Sequence, residues 1–262
     1  MSTSDPTGQH WTYVGNHRKK PHVHPLATPS GKVLTRSEPE DHPWHRALWF
    51  TIKYVNEENF WEEAPPYGVL RHVDDETIHW IRPDRETVGI TETRRLTSTD
   101  LGDGAYALDW DTTLVPATDV VLDRTEFTTW GGYGGLSLRG RADWTDTRLL
   151  ADDGSTHERQ IGVPGRWLDL TGTVEGGTAG VAFLDHPTNP RHPVPWYAST
   201  RAATYGDEGW ANFVNAAFLF HEAMEVAGGE PLRFRYRVVV HDGDADAGAV
   251  ERWWSAWVDG GG

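Results

Sequence analysis

Thirteen histidines and no cysteine make imidazole the main reactive group of this 262-residue chain. Residues 41–46 and 185–193 both begin Asp-His-Pro, and both carry two histidines and an arginine. Because proline fixes φ and removes a backbone donor, we expect each phrase to form a stiff turn or strand edge. Rigid backbone suits imidazoles that transfer protons or bind a metal. The alternative is that these histidines only brace exposed loops.

A second candidate lies between the two phrases, where Trp61 precedes Glu62. An aromatic ring can stack on the C–H face of a sugar, while a neighbouring carboxylate acts on a hydroxyl or glycosidic oxygen. The pair therefore predicts a carbohydrate site, with core packing as the alternative for Trp61. Upstream, His22 and His24 would point to one face if they lie in a strand, because side chains alternate there.

Four glycines surround Tyr133 within residues 126–139. The segment has neither the Lys-Ser/Thr pair nor the following helix of a phosphate loop, so we reject that interpretation. Glycines in a strand region instead predict a bulge or a close approach of ligand to backbone. Tyr133 and Arg139 would then point into the same cleft, although Arg139 could equally be a surface arginine.

These segments predict one shared cleft. His45 or His186 is the predicted general acid/base, Glu62 the base, and Arg46 or Arg139 the clamp for a hydroxyl or oxyanion. If the cleft binds a divalent metal, its ligands are two or three of four histidines, with Glu62 or Asp185 completing the shell. Those histidines are His24, His42, His45 and His186. The predicted substrate-binding residues are Trp61, His72, Tyr133, Arg139, Arg191, His192 and Trp196.

The elements that would position this cleft are strands. Apolar and polar residues alternate over 106–114 and 232–240, as expected for strands with one buried face. Further strands are predicted at 31–36, 45–55, 68–73, 76–82, 86–97, 121–129, 135–142, 167–175, 179–184 and 217–222. Turn residues separate them, so the predicted fold is all-β, a large antiparallel β-sandwich. A short C-terminal helix is predicted at 248–257, where tryptophans at helical spacing would pack on a sheet.

Composition restricts the partners. A net charge of −15 argues against nucleic acid and against an anionic membrane surface. No stretch approaches the 18 to 20 apolar residues of a membrane span, and residues 1–10 lack the apolar core of a secretion signal. We therefore expect a cytoplasmic protein with one domain over residues 1–262, of which 1–10 form a disordered tail. Oligomeric state cannot be read from the sequence.

The same phrases resemble a family of bacterial proteins that carries the label PmoA, after a methane oxygenase subunit. The resemblance lies in residues 24–31, 41–49, 59–61, 132–136, 185–193 and 235–243, and covers roughly residues 15 to 245. The family commonly has His-His-Arg-Gly where this chain has Trp44-His45-Arg46-Ala47. That difference leaves His42 and His45 as the comparable ligands or acid/base groups.

The resemblance implies a sandwich like that of galactose mutarotase, in which a concave sheet face binds sugar between a histidine acid and a carboxylate base. Together with the residues above, it predicts a carbohydrate-active enzyme that cleaves or isomerises a sugar or glycoside, with or without a divalent metal. The alternatives are a non-catalytic sugar-binding protein and a histidine-ligated metal oxygenase. A membrane oxygenase subunit would need spanning helices, which this sequence does not predict.

Overall fold

The computed structural model describes residues 10–16, 19–201 and 211–260. Two large antiparallel sheets and one small sheet account for the strands. The predicted tail at 1–10 lies almost wholly outside the described residues. The strands are β1 (Trp11–Val14), β2 (His22–Leu26), β3 (Leu48–Thr51), β4 (Tyr54–Val55), β5 (Glu58–Asn59), β6 (Val69–His72), β7 (Thr77–Ile81), β8 (Val88–Gly102), β9 (Ala105–Pro116), β10 (Val120–Asp123), β11 (Gly135–Arg139), β12 (Thr145–Ala151), β13 (Thr156–His157), β14 (Arg159–Gly165), β15 (Trp167–Val174), β16 (Gly177–Asp185), β17 (Val194–Ser199), β18 (Phe213–Ala216), β19 (Met224–Val226) and β20 (Leu232–Asp242).

The two large sheets form a sandwich. The seven-stranded sheet has the order β1-β2-β3-β11-β18-β17-β14, and the nine-stranded sheet has the order β13-β12-β15-β16-β20-β9-β8-β7-β6. A four-stranded sheet, β19-β10-β4-β5, lies beside them. The main core contains residues from both large sheets, such as Leu48 and Phe50 of β3 and Phe234 and Val238 of β20. The predicted antiparallel β-sandwich is confirmed.

Strand alternation gives each large sheet a second, outer face with its own apolar cluster. On the seven-stranded sheet, Trp49 and Phe213 belong to an outer cluster of aromatic residues. On the nine-stranded sheet, Ala182 and Val239 belong to a different outer cluster. The molecule is therefore layered, with one core between the sheets and one apolar cluster outside each of them.

Helix α1 (Ala247–Asp259) covers the outer face of the nine-stranded sheet. It begins where the Asp246 side chain accepts a hydrogen bond from Ala249 N at 2.7 Å, which satisfies one free amide of the first turn. Val250 and Trp257 are buried in the outer cluster, and Trp253 and Trp254 pack against it. The predicted helix and its tryptophan stripe are confirmed. Within the described residues, no helix is long and apolar enough to cross a membrane.

Several strand predictions were wrong in detail. Residues 31–36 form only isolated bridges, residues 217–222 form a turn after β18, and strand structure within 121–129 stops at Asp123. Residues 194–199 were not among the predicted strands but form β17. Pro195 of β17 lies directly opposite Pro164 of β14, so the two missing amides fall at one ladder position.

Candidate active site

The outer face of the seven-stranded sheet carries a floor of aromatic side chains. Leu48, Phe50 and Ile52 point into the main core, so Trp49 and Lys53 fall on the opposite side of the chain. Trp49 lies 5.4 Å from Trp61 and 6.3 Å from Phe213 between ring centroids. The buried part of this aromatic floor consists of Trp49, Trp61, Tyr197, Phe213, Ala217 and Phe220.

Glu62 is fixed at the edge of this floor. Asn59 Oδ1 accepts hydrogen bonds from the amides of Trp61 at 2.8 Å and Glu62 at 3.1 Å, which forms a tight side-chain turn. The Lys53 ammonium pairs with Glu62 Oε1 and donates to the Tyr133 hydroxyl at 3.0 Å. That hydroxyl donates in turn to Glu62 Oε1 at 3.2 Å. Glu62 Oε2 is buried and has no hydrogen-bond partner among the described residues.

Tyr133 can serve only as a hydrogen-bond donor to Glu62. Burial raises the pKa of its phenol far above the usual value, and the negative charge of Glu62 raises this pKa further. The ring lies 4.8 Å from Trp61 and 5.8 Å from Tyr197. Tyr133 thus remains a neutral phenol that orients the Glu62 carboxylate through Oε1.

Glycines bring Tyr133 to this position. Gly132 has φ of +76°, and a Cβ there would meet the Phe220 ring at 2.5 Å. Gly135 has φ of +110°, and its Cβ would meet the Ala216 carbonyl oxygen at 2.4 Å. The segment therefore needs glycine to pack against the sheet. The predicted approach of a ligand to this backbone stays a prediction.

A second polar group, Asp41 with His42, lies on the same side of the sheet. His42 Nδ1 donates to Asp41 Oδ2 at 2.8 Å, and Arg139 Nη2 donates to that same oxygen at 2.5 Å. Burial disfavours the charged Asp41 carboxylate, but the His42 hydrogen bond and the Arg139 guanidinium outweigh burial and lower its pKa to about 2. A carboxylate that holds Nδ1–H leaves Nε2 of His42 as the nitrogen that can exchange a proton.

His45 is a neutral, buried part of the aromatic floor. Its ring stacks on His42 at 4.7 Å and on Phe213 at 5.2 Å, and only 5% of the residue is exposed. Arg139 Nη1 lies 3.3 Å from His45 Nδ1, and because a guanidinium only donates, Nδ1 must accept. Burial and the nearby positive charges hold the pKa of His45 well below its usual value. We therefore prefer His42 to His45 for the acid/base role.

Arg46 does not act as a clamp on a substrate. Its side chain is fully buried, where it donates to the Pro43 carbonyl at 2.6 Å and pairs with Glu63. Buried Lys20 lies 3.5 Å from Glu63 and donates to the carbonyl oxygens of Trp44, at 2.9 Å, and Trp61. This network ties the His42 loop to the segment that carries Glu62, so its role is to brace the site.

The second Asp-His-Pro phrase lies on the other side of the molecule. His186 packs edge-on against Trp257 of α1 at 5.0 Å, and its Nε2 accepts from Arg235 at 3.0 Å. Asp185 accepts from His192 Nδ1 at 2.7 Å and from the amide of Val194 at 3.0 Å. The contact with Trp257 places His186 on the outer face of the nine-stranded sheet. Packed sheets lie about 10 Å apart, so one cleft cannot contain both His45 and His186.

The remaining predicted binding residues also lie outside the aromatic floor. Arg191 donates to three carbonyl oxygens of the turn at 218–223. The His192 ring stacks on Trp254 of α1 with 6.4 Å between ring centroids. Trp196 belongs to the core between the two large sheets. His72, in the nine-stranded sheet, bonds to the Tyr13 hydroxyl at 2.6 Å. The prediction of one cleft that contains all these residues was wrong. Side chains alternate between the two faces of a strand, and successive strands can belong to different sheets, so these residues lie in different layers of the sandwich.

The four predicted metal ligands do not converge either. His42 and His45 stack together, whereas His24 Nδ1 bonds to Thr35 Oγ1 at 3.0 Å and His186 lies on the opposite outer face. Over residues 10–16, 19–201 and 211–260, no three histidine or carboxylate side chains are grouped as a metal site would require. The predicted ligand set is therefore not assembled in this conformation.

Sequence reasoning missed Lys53 and the link from Asp41 to Arg139. A signal for Lys53 was present, because Trp49, Thr51 and Lys53 alternate with the apolar residues of β3 and so share its outer face. The contact between Asp41 and Arg139 spans 98 residues and had no local signal.

Comparisons with known proteins identify the family. Residues 8–255 match a family of unknown function, DUF6807, and the chain belongs to that family. The expected PmoA label finds no support in this match. No curated protein matches the sequence.

Two solved structures align with most of this chain. A structure titled polysaccharide lyase aligns with 94% of this chain at 10% identity and a TM-score of 0.40. The chain spans only 33% of that lyase's length. A galactose mutarotase related enzyme from Lactobacillus acidophilus aligns over 94% of this chain and 99% of its own, at 10% identity and a TM-score of 0.44.

Proposed function

We propose that this protein is a carbohydrate-active enzyme that transfers protons on the outer face of its seven-stranded sheet. The observation that carries the proposal is the Glu62 carboxylate, which Lys53 and Tyr133 hold through Oε1 while the buried Oε2 has no partner among the described residues. A carboxylate oriented through one oxygen and unpartnered at the other is suited to act as a general base. The rings of the aromatic floor are themselves buried, but Trp44 and Tyr133 are only partly buried against it and are the rings on which a sugar can stack.

In the proposed reaction, Glu62 Oε2 accepts a proton from the substrate, and the protonated His42 Nε2 donates one to a substrate oxygen. Asp41 and Arg139 fix the orientation of His42, because the Asp41 carboxylate holds Nδ1–H and is itself held by Arg139. Removal of one proton and delivery of another is common to the opening of a sugar ring and to the cleavage of a glycosidic bond. The substrate is therefore proposed as a sugar or glycoside that is isomerised or cleaved.

A substrate screen with matched variants tests this proposal. Free aldoses, aryl glycosides and oligosaccharides would be scored for anomer exchange, aglycone release, new reducing ends and unsaturated products. We expect turnover of one class, and we expect Glu62→Gln to lower kcat by roughly 10²–10⁴-fold. Glu230→Gln is the control, because Glu230 is an exposed carboxylate far along the chain from the site.

Two outcomes would contradict the proposal. Turnover that Glu62→Gln leaves unchanged would remove the assigned base. Saturable sugar binding without any turnover would instead favour the non-catalytic sugar-binding protein, which uses the same aromatic floor and needs no proton transfer.

A further inference from the structure

A small cavity lies on the outer face of the nine-stranded sheet, remote from Glu62. It has a volume of about 110 Å³. A cavity that holds a single water needs about 10–15 Å³ of such volume, so this cavity can hold several waters or one small organic molecule. Its lining includes the side chains of Arg95, Thr97, Asp111, Arg235 and Trp257.

Strand register arranges charges in a row beside this cavity. Asp111 of β9 is directly paired with Arg95 of β8 on one side and with Arg235 of β20 on the other. Directly opposed residues have Cβ atoms about 4.5–5.5 Å apart, so both arginine side chains start beside Asp111. The Arg95 guanidinium then bonds to Glu76, and the Arg235 guanidinium bonds to His186. Thr97 is paired with Asp109 in the adjacent row, where it adds a hydroxyl to the cavity wall.

Arg235 differs from the arginines around it. Arg233 pairs with Asp111, and Arg237 pairs with Asp109 through two hydrogen bonds of 2.6 and 2.8 Å. Arg235 forms no ion pair within the described part of the chain, and its guanidinium bonds only to the His186 ring at 3.0 Å. Burial and the charge of Arg235 lower the pKa of His186 to about 4, so that ring is neutral and does not compensate the guanidinium.

We propose that this cavity binds a small hydroxy acid whose carboxylate pairs with Arg235 and Arg95. An uncompensated, half-buried guanidinium favours a carboxylate that can accept two parallel N–H bonds. Asp109, Asp111 and Thr97 offer acceptors for hydroxyl groups, which selects a hydroxylated acid over a simple inorganic anion. Trp257 gives one apolar wall. This site is separate from the proposed catalytic site and does not depend on it.

Calorimetric titration of the full chain with D-glucuronate tests the proposal, because that probe carries one carboxylate and several hydroxyl groups. We expect saturable binding of one equivalent at this cavity, tighter than for D-glucose or inorganic sulfate. Arg235→Gln and Arg95→Gln should each weaken binding by at least about tenfold, since each removes a charged hydrogen-bond donor. Glu62→Gln should leave the affinity unchanged.

The second arginine keeps the test valid if Arg235→Gln does not fold, because the Arg95 side chain is largely exposed and, among the described residues, bonds only to Glu76. Absence of saturable glucuronate binding, or binding that both arginine variants retain, would overturn the proposal. Binding that Glu62→Gln abolishes would assign the probe to the catalytic face and overturn it as well. Equal affinity for sulfate would overturn the hydroxy-acid specificity.

Discussion

The titratable residues around Glu62 are held in fixed protonation states by their neighbours. Tyr133 stays a phenol because burial raises its pKa, and His45 stays neutral because burial lowers its pKa. Asp41 stays ionised because His42 and Arg139 lower its pKa to about 2 against the effect of burial. Glu62 and His42 are the remaining groups at this face, and the proposal assigns the proton transfers to them.

Lys20 gives a single-residue prediction about how the free energy of unfolding depends on pH. Burial lowers its pKa from 10.5 to about 7, so between these pH values the unfolded chain binds more protons at Lys20 than the folded protein. The free energy of unfolding should therefore gain a positive slope from pH 7 to 10.5. Lys20→Met should lose that slope, although it also lowers stability because Trp44 and Trp61 lose a donor to their carbonyl oxygens. Urea unfolding at several pH values measures both effects, and an unchanged slope would contradict the assignment.

The sequence indicated part of the site at the residue scale. Trp61, Glu62, Tyr133 and Arg139 were predicted together, and the structure brings them to one face with His42. The two Asp-His-Pro phrases were predicted to share a cleft because they contain the same residue types. Local spacing cannot tell on which outer face a phrase will lie, since that depends on the sheet to which the preceding strand belongs.

At the scale of elements, the glycine segment before β11 controls the position of Tyr133. Gly132→Ala should destabilise the fold by about 2–4 kcal/mol, because a Cβ would clash with Phe220 at 2.5 Å and φ is +76°. Gly154→Ala is the matched control, with φ of +81° and no atom within 4 Å of the added Cβ. It should cost only the backbone strain, about 1 kcal/mol.

Chemical denaturation compares the two glycine variants directly. Equal losses of stability would mean that the contact with Phe220 has no energetic effect. Any substrate turnover should fall only in Gly132→Ala, because that change displaces the hydroxyl that orients Glu62.

Strand type was more predictable than strand boundaries. Segments with clear alternation, such as 232–240, became long strands that match the prediction. The strand at 194–199 was missed because proline normally argues against an internal strand. Only the tertiary pairing of Pro195 with Pro164 makes that strand compatible with a continuous sheet.

At the scale of the whole molecule, the proposed function gives the two outer faces different roles. Helix α1 covers one face, and the aromatic floor lies on the other. Trp257→Ala should cost about 3–5 kcal/mol because this side chain of α1 is buried in the outer cluster between the helix and the nine-stranded sheet. The activity per folded molecule should remain unchanged, because both large sheets lie between Trp257 and the proposed catalytic face.

Trp130→Ala is the control for that substitution. Trp130 is 41% exposed and lies near Lys53, so its loss should cost less than about 1 kcal/mol. Thermal unfolding and turnover measured on the same samples separate the two effects. A large loss of activity per folded molecule in Trp257→Ala would contradict the assignment of roles to the two faces.

The most direct test of the central claim compares two histidines on the screened substrate. His42→Asn should lower kcat/KM by at least about a hundredfold, because it removes the imidazole that Asp41 and Arg139 orient. His186→Asn, on the opposite outer face, should change kcat/KM less than about threefold once thermal unfolding shows that both variants are folded. The reverse result, with activity lost in His186→Asn and retained in His42→Asn, would contradict the account.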